Sequence, residues 1–151
     1  MKLDIFMVTS RYRFFAQNLK TGQRLMKKII LYVDPDSGPK GRVFLHQIQQ
    51  RLPGIRIQVC QSVESCVAAV CRKRPCMDLP IVVLFVAGLE HLDDLYRKKQ
   101  TFVDSKVVMV VPEERTESRT ILIHRFFPRY VAVMDDRYDD LCDVLNKMMV
   151  Q

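Results

Sequence analysis

From Lys28 onward, short apolar runs alternate with longer amphipathic stretches. The runs at 28–33, 55–60, 80–87, 106–111 and 130–134 are rich in Val, Ile, Leu or Phe, which predicts five strands. Two of them, Ile81-Val82-Val83-Leu84-Phe85-Val86 and Val107-Val108-Met109-Val110-Val111, are apolar at every position, as strands covered on both faces are. A helix over 40–52 places Val43, Phe44, Ile48 and Leu52 on one side, and Pro53-Gly54 stops it. A second, over 63–74, has Ser62 as its cap and Val63, Cys66, Val67 and Val70 as its stripe. A third, over 89–99, turns Leu89, Leu92 and Leu95 inward and ends in Arg97-Lys98-Lys99, cations suited to a helix carboxyl end. Helical patterns over 115–125 and 137–149 complete the series, the last with Leu141, Val144, Leu145 and Met148 inward. Five such strand-helix units predict an α/β domain, because right-handed crossovers lay helices on both faces of a parallel sheet.

The first run, Lys28-Ile29-Ile30-Leu31-Tyr32-Val33, breaks abruptly into Asp34-Pro35-Asp36. An apolar strand ending in acids marks the carboxyl edge of the sheet, where open α/β folds place their ligands.

At 151 residues the chain is long enough for one sizeable core. Its apolar runs fall short of the roughly 18–20 residues of a membrane helix. Met1-Lys2-Leu3-Asp4-Ile5-Phe6-Met7-Val8 makes a poor secretory signal, since an acid interrupts its short apolar core. These features predict a cytoplasmic protein. Its five cysteines, an odd number scattered through apolar segments, read as reduced thiols. Cys60, Cys66, Cys71 and Cys76 cluster in sequence, but their gaps lack the two-residue knuckle of common zinc sites.

The net charge of +7 is uneven: residues 1–27 hold six bases against Asp4, a net of +5. This basic extension interleaves cations and aromatics at Arg11-Tyr12-Arg13-Phe14-Phe15. It reads as a tail, as a segment packed on the body, or as sequence preceding a true start at Met26. It is also where a nucleic acid or an anionic membrane would be met, and the body, 28–151, gives no reason to expect either.

In the order of its elements, its length and its acidic first strand end, the body resembles the receiver domain of bacterial response regulators. Ile29-Ile30-Leu31-Tyr32-Val33-Asp34 is similar to the run leading into that family's magnesium-binding acids. Met77-Asp78-Leu79 and the closing helix after Asp139-Asp140-Leu141 also look like the family. The resemblance implies a doubly wound, flavodoxin-like sheet of order 2-1-3-4-5. It also implies an acid pair after the first strand, a phospho-accepting aspartate after the third, a hydroxyl residue after the fourth and a lysine after the fifth. Aspartyl phosphorylation needs cations to offset charge on the transferring oxygens.

This chain departs from that set. Asp34 matches the first acid, Pro35 interrupts, and Asp36 follows one place late. The span Leu79–Leu89 holds no Asp or Glu, Val111-Pro112 stands where the hydroxyl is expected, and no lysine lies between Val107 and Asn146. Thr116 is too far along, and Met134-Asp135 takes the place of the lysine and proline. The expectation is a receiver-like module, not an enzyme, that has lost phospho-acceptance and works by protein contact, including contact with a second copy of itself.

Asp34 and Asp36 are candidate cation ligands, with Asp135 or Asp136 nearby, though the oxygen supply supports only weak magnesium binding and no resident cofactor. A solvated acidic edge is the plainer reading. The alternative function places a small anion or nucleotide at the turn 36–42, where Ser37, Lys40 and Arg42 precede a helix amino terminus. Its spacing fits neither common phosphate loop. His46, His91 and His124 fall on separate predicted helices with no ligand spacing. The fourth crossover, from Ile121 to Tyr130, mixes aromatics with arginines. By the resemblance, the partner face is Arg125, Phe127, Arg129, Tyr130, Arg137 and Tyr138, residue types that anchor interfaces. At least one of Phe126 and Phe127 is expected to close the core instead.

Overall fold

The computed structural model describes residues 28–72, 79–114, 116–135 and 137–150. The expectations for the leader 1–27, for Lys73 and Arg74, for Cys76 and for Asp136 therefore lie outside the described residues.

Strands β1 (Lys28–Val33), β2 (Arg56–Cys60), β3 (Ile81–Phe85), β4 (Lys106–Val111) and β5 (Tyr130–Val133) all run parallel. Their order is β2-β1-β3-β4-β5, the doubly wound order expected. Register is tight in the centre: Ile29 pairs Ile81 and Val33 pairs Phe85, while Val82 pairs Val107 and Phe85 pairs Val110. Helices α1 (Pro39–Arg51), α2 (Val63–Cys71), α3 (Leu89–Arg97), α4 (Glu117–Arg125) and α5 (Asp139–Val150) fill the crossovers.

Side chains alternate across each strand, so consecutive apolar residues serve two different cores. Ile29, Leu31, Val83, Phe85, Val108 and Val110 pack with Phe44 and Ile48 of α1 and with Leu141, Cys142, Leu145 and Met148 of α5. Ile30, Tyr32, Val82, Leu84, Val107 and Met109 pack with Cys66 of α2, Leu92 and Leu95 of α3 and Ile123 of α4. Burying such a Val, Leu or Ile side chain is worth about 1.5–3 kcal/mol, which is why β3, buried at all five positions, tolerates no polar residue. Aromatic contacts lock α1 onto the sheet: Phe44 stacks on Phe85 at 4.6 Å and meets Tyr138 edge-on at 4.8 Å.

Helix ends follow local chemistry. Ser62 caps α2, its hydroxyl accepting from the Ser65 amide at 3.1 Å while Ser65 Oγ accepts from the Ser62 amide at 3.3 Å. Thr116 caps α4 by accepting from the Arg119 amide, so that helix starts two residues later than its pattern suggests. Likewise α5 starts at Asp139, two residues later than its pattern suggests, and at its entry the Tyr138 amide donates to Gln47 Oε1. The pattern over 89–99 breaks at Arg97, and the chain passes into a 3-10 turn, Lys99–Phe102, that buries Phe102. Val43, expected on the inward stripe of α1, is 43% exposed; the stripe runs through Phe44 and Ile48, one position around the helix. Cys60, Cys66 and Cys142 are buried free thiols and Cys71 is exposed. Among the described residues no helix is long and apolar enough to cross a membrane.

Candidate functional site

The carboxyl ends of the parallel strands share one edge, and the edge of β1 carries the densest chemistry. The Asp34 amide donates to Phe85 O at 3.0 Å, extending the β1–β3 ladder by one bond. That bond fixes the Asp34 side chain above the β3–α3 connection, fully buried. A buried carboxylate is costly unless hydrogen-bonded. Here three backbone amides satisfy it: Asp36 N donates to Oδ1 at 2.8 Å, and Ala87 N and Gly88 N donate to Oδ2 at 2.9 and 3.0 Å.

The next residues turn back sharply. Pro35, with its φ already suited to a helical turn, begins a 3-10 turn, Pro35–Ser37. Ser37 Oγ donates to Asp34 O at 2.6 Å. Gly41 of α1 lies directly against that hydroxyl; a Cβ there would sit 2.2 Å from Ser37 Oγ and 2.9 Å from Val33 Cγ1. This tight turn raises Asp36 beside Asp34 even though Pro35 separates them in sequence.

His91, in the first turn of α3, completes the cluster. Its Nε2 stands 2.8 Å from Asp36 Oδ2 and 3.2 Å from Asp34 Oδ1. Its Nδ1 lies 3.4 Å from the Tyr32 hydroxyl. The hydrogen bond to Asp36 raises the His91 pKa; burial opposes the rise, and the charges of Asp34, Asp36 and Asp94 add to it. Burial chiefly, and then the Asp34 charge, push the Tyr32 phenol far above its ordinary range. Sequence spacing does not reveal His91, because 55 residues separate it from Asp36. The available signal was topological: residues that directly follow parallel strands converge on one edge, and His91 opens the helix after β3.

Among the described residues, Asp34, Asp36 and His91 form the cluster whose ligand atoms all lie within 4.8 Å of one another. Asp135 is outside it; its amide donates to the Tyr138 hydroxyl at 3.0 Å. The magnesium ion of a receiver would find a poor donor set here. Two of the four acceptor directions of Asp34 are spent on Oδ2 and a third on the Asp36 amide, which leaves one Asp34 direction, the Asp36 carboxylate and an imidazole. Magnesium wants near-octahedral oxygen coordination, so these residues do not fit it. At the ends of the neighbouring strands stand buried Val86 after β3, Val111-Pro112 after β4 and Met134-Asp135 after β5.

Ser37 is buried and its hydroxyl is committed, whereas Lys40 and Arg42 are exposed on the surface of α1.

The expected partner face divides. Arg125, Arg129 and Arg137 are exposed, Tyr130 is half-buried, and Arg137 pairs with Asp139 at 2.8 Å. Arg51 also pairs with Asp139. The Lys99 ammonium and the Arg125 guanidinium beside the Tyr96 hydroxyl lower that phenol's pKa. Tyr138, expected on the face, belongs instead to the core at 3% exposure, since its ring fills the space beside Phe44. Phe126 and Phe127 separate completely. Phe126 is buried against Tyr96 and Phe102, whereas Phe127 is 87% exposed with φ of 51°. The α5 start and β5 border an open cleft of about 590 Å³.

No protein-family model and no curated protein sequence matches the chain. Solved structures match it in fold. A CheY-like response regulator from Mesorhizobium loti superposes with a TM-score of 0.59 at 15% identity, over 82% of this chain and 99% of that one. A response regulator from Thermotoga maritima gives 0.55 at 18% identity, over 83% and 99%. The lysine decarboxylase LdcF of Francisella novicida gives 0.56 at 10% identity, over 83% of this chain but 17% of that one. The fold is thus receiver-like, and a segment of an enzyme superposes on it as well.

Proposed function

We propose that this protein is a non-catalytic signalling module of receiver-like fold that acts by protein contact and does not take a phosphoryl group on aspartate. The observation that carries the reading is the strand edge. Where β3 ends, the chain offers Val86, Ala87 and Gly88, and the amides of the last two are bound to Asp34. Asp34 is therefore an organiser of the edge, holding β1 to the β3–α3 connection, with little capacity left to hold an incoming phosphate's cation. Neither a hydroxyl after β4 nor a lysine after β5 is there to receive the charge. Aspartyl phosphorylation needs those groups together, because developing charge on the equatorial oxygens must be matched at once.

Contact is supported by the α4–β5 connection. Phe127 projects into solvent between Arg125 and Arg129, and aromatic and Arg residues anchor interfaces. Folding gives no account of an exposed phenylalanine in left-handed backbone.

The test is an amide NMR titration of the protein with magnesium, then with magnesium plus beryllofluoride as a phosphoryl mimic. The expected result is unmoved resonances from Asp34 to Asp36, at Val86 to Gly88 and at Val111. Saturable shifts at those positions with beryllofluoride would overturn the reading.

A further inference from the structure

The misfit of the β1 edge to magnesium points to a different cation. We infer that Asp34, Asp36 and His91 form a binding site for a borderline divalent transition metal of the zinc class.

The donor set is the first argument. Imidazole suits zinc, copper and nickel, whereas magnesium takes oxygen donors and keeps its waters. Two carboxylates and one imidazole leave a fourth, solvent-facing position, the coordination count of an open zinc site.

Geometry is the second. Neighbouring ligands of a tetrahedral site with bonds of about 2.0–2.1 Å stand roughly 3.3 Å apart. His91 Nε2 and Asp34 Oδ1 are already 3.2 Å apart. His91 Nε2 and Asp36 Oδ2, at 2.8 Å, need to open by about half an ångström to reach that spacing. Asp36 can supply that movement because its side chain is 75% exposed. Asp34 cannot move, being held by three amides, and it still has one acceptor direction on Oδ1 facing His91. The site thus combines one fixed ligand, one adjustable ligand and an imidazole aimed at both.

Tyr32 is the third argument, and it is independent of the acids. Its buried hydroxyl faces His91 Nδ1, the ring nitrogen turned away from the carboxylates. A metal-bound histidine commonly donates its other N–H to an outer partner, which fixes the tautomer. Tyr32 can accept that N–H, leaving the Nε2 lone pair for the cation. Nε2 already faces the two carboxylates with which it would share the cation.

The bound metal would clamp the 34–37 turn to the first turn of α3, tying together the two connections that flank β1 and β3. It would be a ligand-dependent lock on the edge that a receiver uses for phosphorylation.

The experiment uses the full chain, stripped with chelator and kept reduced, titrated with zinc chloride by calorimetry in the presence of millimolar magnesium. Asp34 is left alone, since replacing a buried, triply bonded carboxylate would disturb the fold. One saturable equivalent is expected, weakened roughly tenfold or more by His91→Gln and by Asp36→Asn. Cys71→Ser, which removes the one exposed thiol among the described residues, is expected to leave that equivalent in place. In parallel, long-range 1H–15N spectra of the imidazoles should show His91 Nε2 shifting on zinc addition while His46 and His124 stay put. That readout needs no variant to fold. Absence of zinc uptake, uptake unaffected by His91→Gln, displacement by magnesium, or an unmoved His91 Nε2 would each overturn the proposal.

Discussion

His91 shows how much of this protein is decided one side chain at a time. Its Nε2 faces two carboxylates, and the bond to Asp36, helped by the Asp34 charge, holds its pKa above the ordinary histidine value of about 6.5 against the opposing effect of burial. A folded pKa above the unfolded one means the protonated ring stabilises the native state. That contribution is complete below about pH 6.5 and is lost as pH rises through the folded value. In chelator, thermal unfolding followed across roughly pH 5 to 8 should show stability falling toward the alkaline end, and His91→Gln should flatten the slope. An unchanged slope in His91→Gln would mean that the contact is not formed in solution. Phe127 makes a second residue-scale case. At φ of 51° and 87% exposed, it sits in backbone that costs a side-chain-bearing residue about 1–2 kcal/mol and recovers little by burial. Part of that is offset by glycine's greater freedom in the unfolded chain. Phe127→Gly should therefore raise unfolding stability by about 0.5–1 kcal/mol in urea, while weakening any contact the face makes. From the sequence, Phe127 was placed on the partner face by resemblance, and at least one of Phe126 and Phe127 was expected to close the core. Their roles diverge only because α4 ends between Arg125 and Phe126, which turns one ring inward and the next outward.

Elements were legible where periodicity was strong and uncertain where capping decided. The apolar runs of β3 and β4 read as doubly covered strands, and they are buried at nearly every position. Starts of α4 and α5 were misplaced by two residues, and for α4 the start is set by the Thr116 cap, a hydrogen bond that a stripe of apolar residues does not encode. The 34–41 turn was the least legible element. Its sequence offered Ser37, Lys40 and Arg42 only as an alternative anion site whose spacing fits neither common phosphate loop, and Ser37 turns inward where Gly41 makes room for it. That packing makes a direct prediction. Gly41→Ala would drive a methyl into the Ser37 hydroxyl and Val33, a crowding that costs about 1–3 kcal/mol in a well-packed site. Adding Ser37→Ala should recover only part of the loss, because the Ser37 Cβ and Val33 Cγ1 remain close at 3.3 and 2.9 Å. Both differences are readable from urea unfolding midpoints. If Gly41→Ala were neutral, the turn would not be braced as described, and the elevation of Asp36 beside His91 would lose its structural cause.

For the whole molecule, the fold says little about function on its own. The fold superposes on response regulators and on a segment of a lysine decarboxylase alike, so the reading rests on what stands at the strand ends. The resemblance made the missing groups visible from sequence. The His91 contact was invisible there because it depends on three connections meeting at one edge. Receiver chemistry is a property of that edge as a whole, and Val86 offers a way to test this. It is 2% exposed directly after β3, its amide donating to Val110 O at 3.0 Å. Val86→Asp supplies an acid at the end of the third strand, but Met134-Asp135 and not a lysine directly follows β5, and Pro112 and not a hydroxyl residue directly follows β4. The new carboxyl would lie buried near Asp34, whose amide partners are already engaged, so its desolvation would go uncompensated. Such burial costs about 2–5 kcal/mol. The expected outcome is a folded but weakened protein whose intact mass is unchanged by acetyl phosphate and magnesium. If Val86→Asp instead gained the mass of one phosphoryl group, a single residue would separate this edge from a working receiver. The proposed inability to accept a phosphoryl group would then rest on one position, and the hydroxyl and lysine would prove dispensable to acceptance.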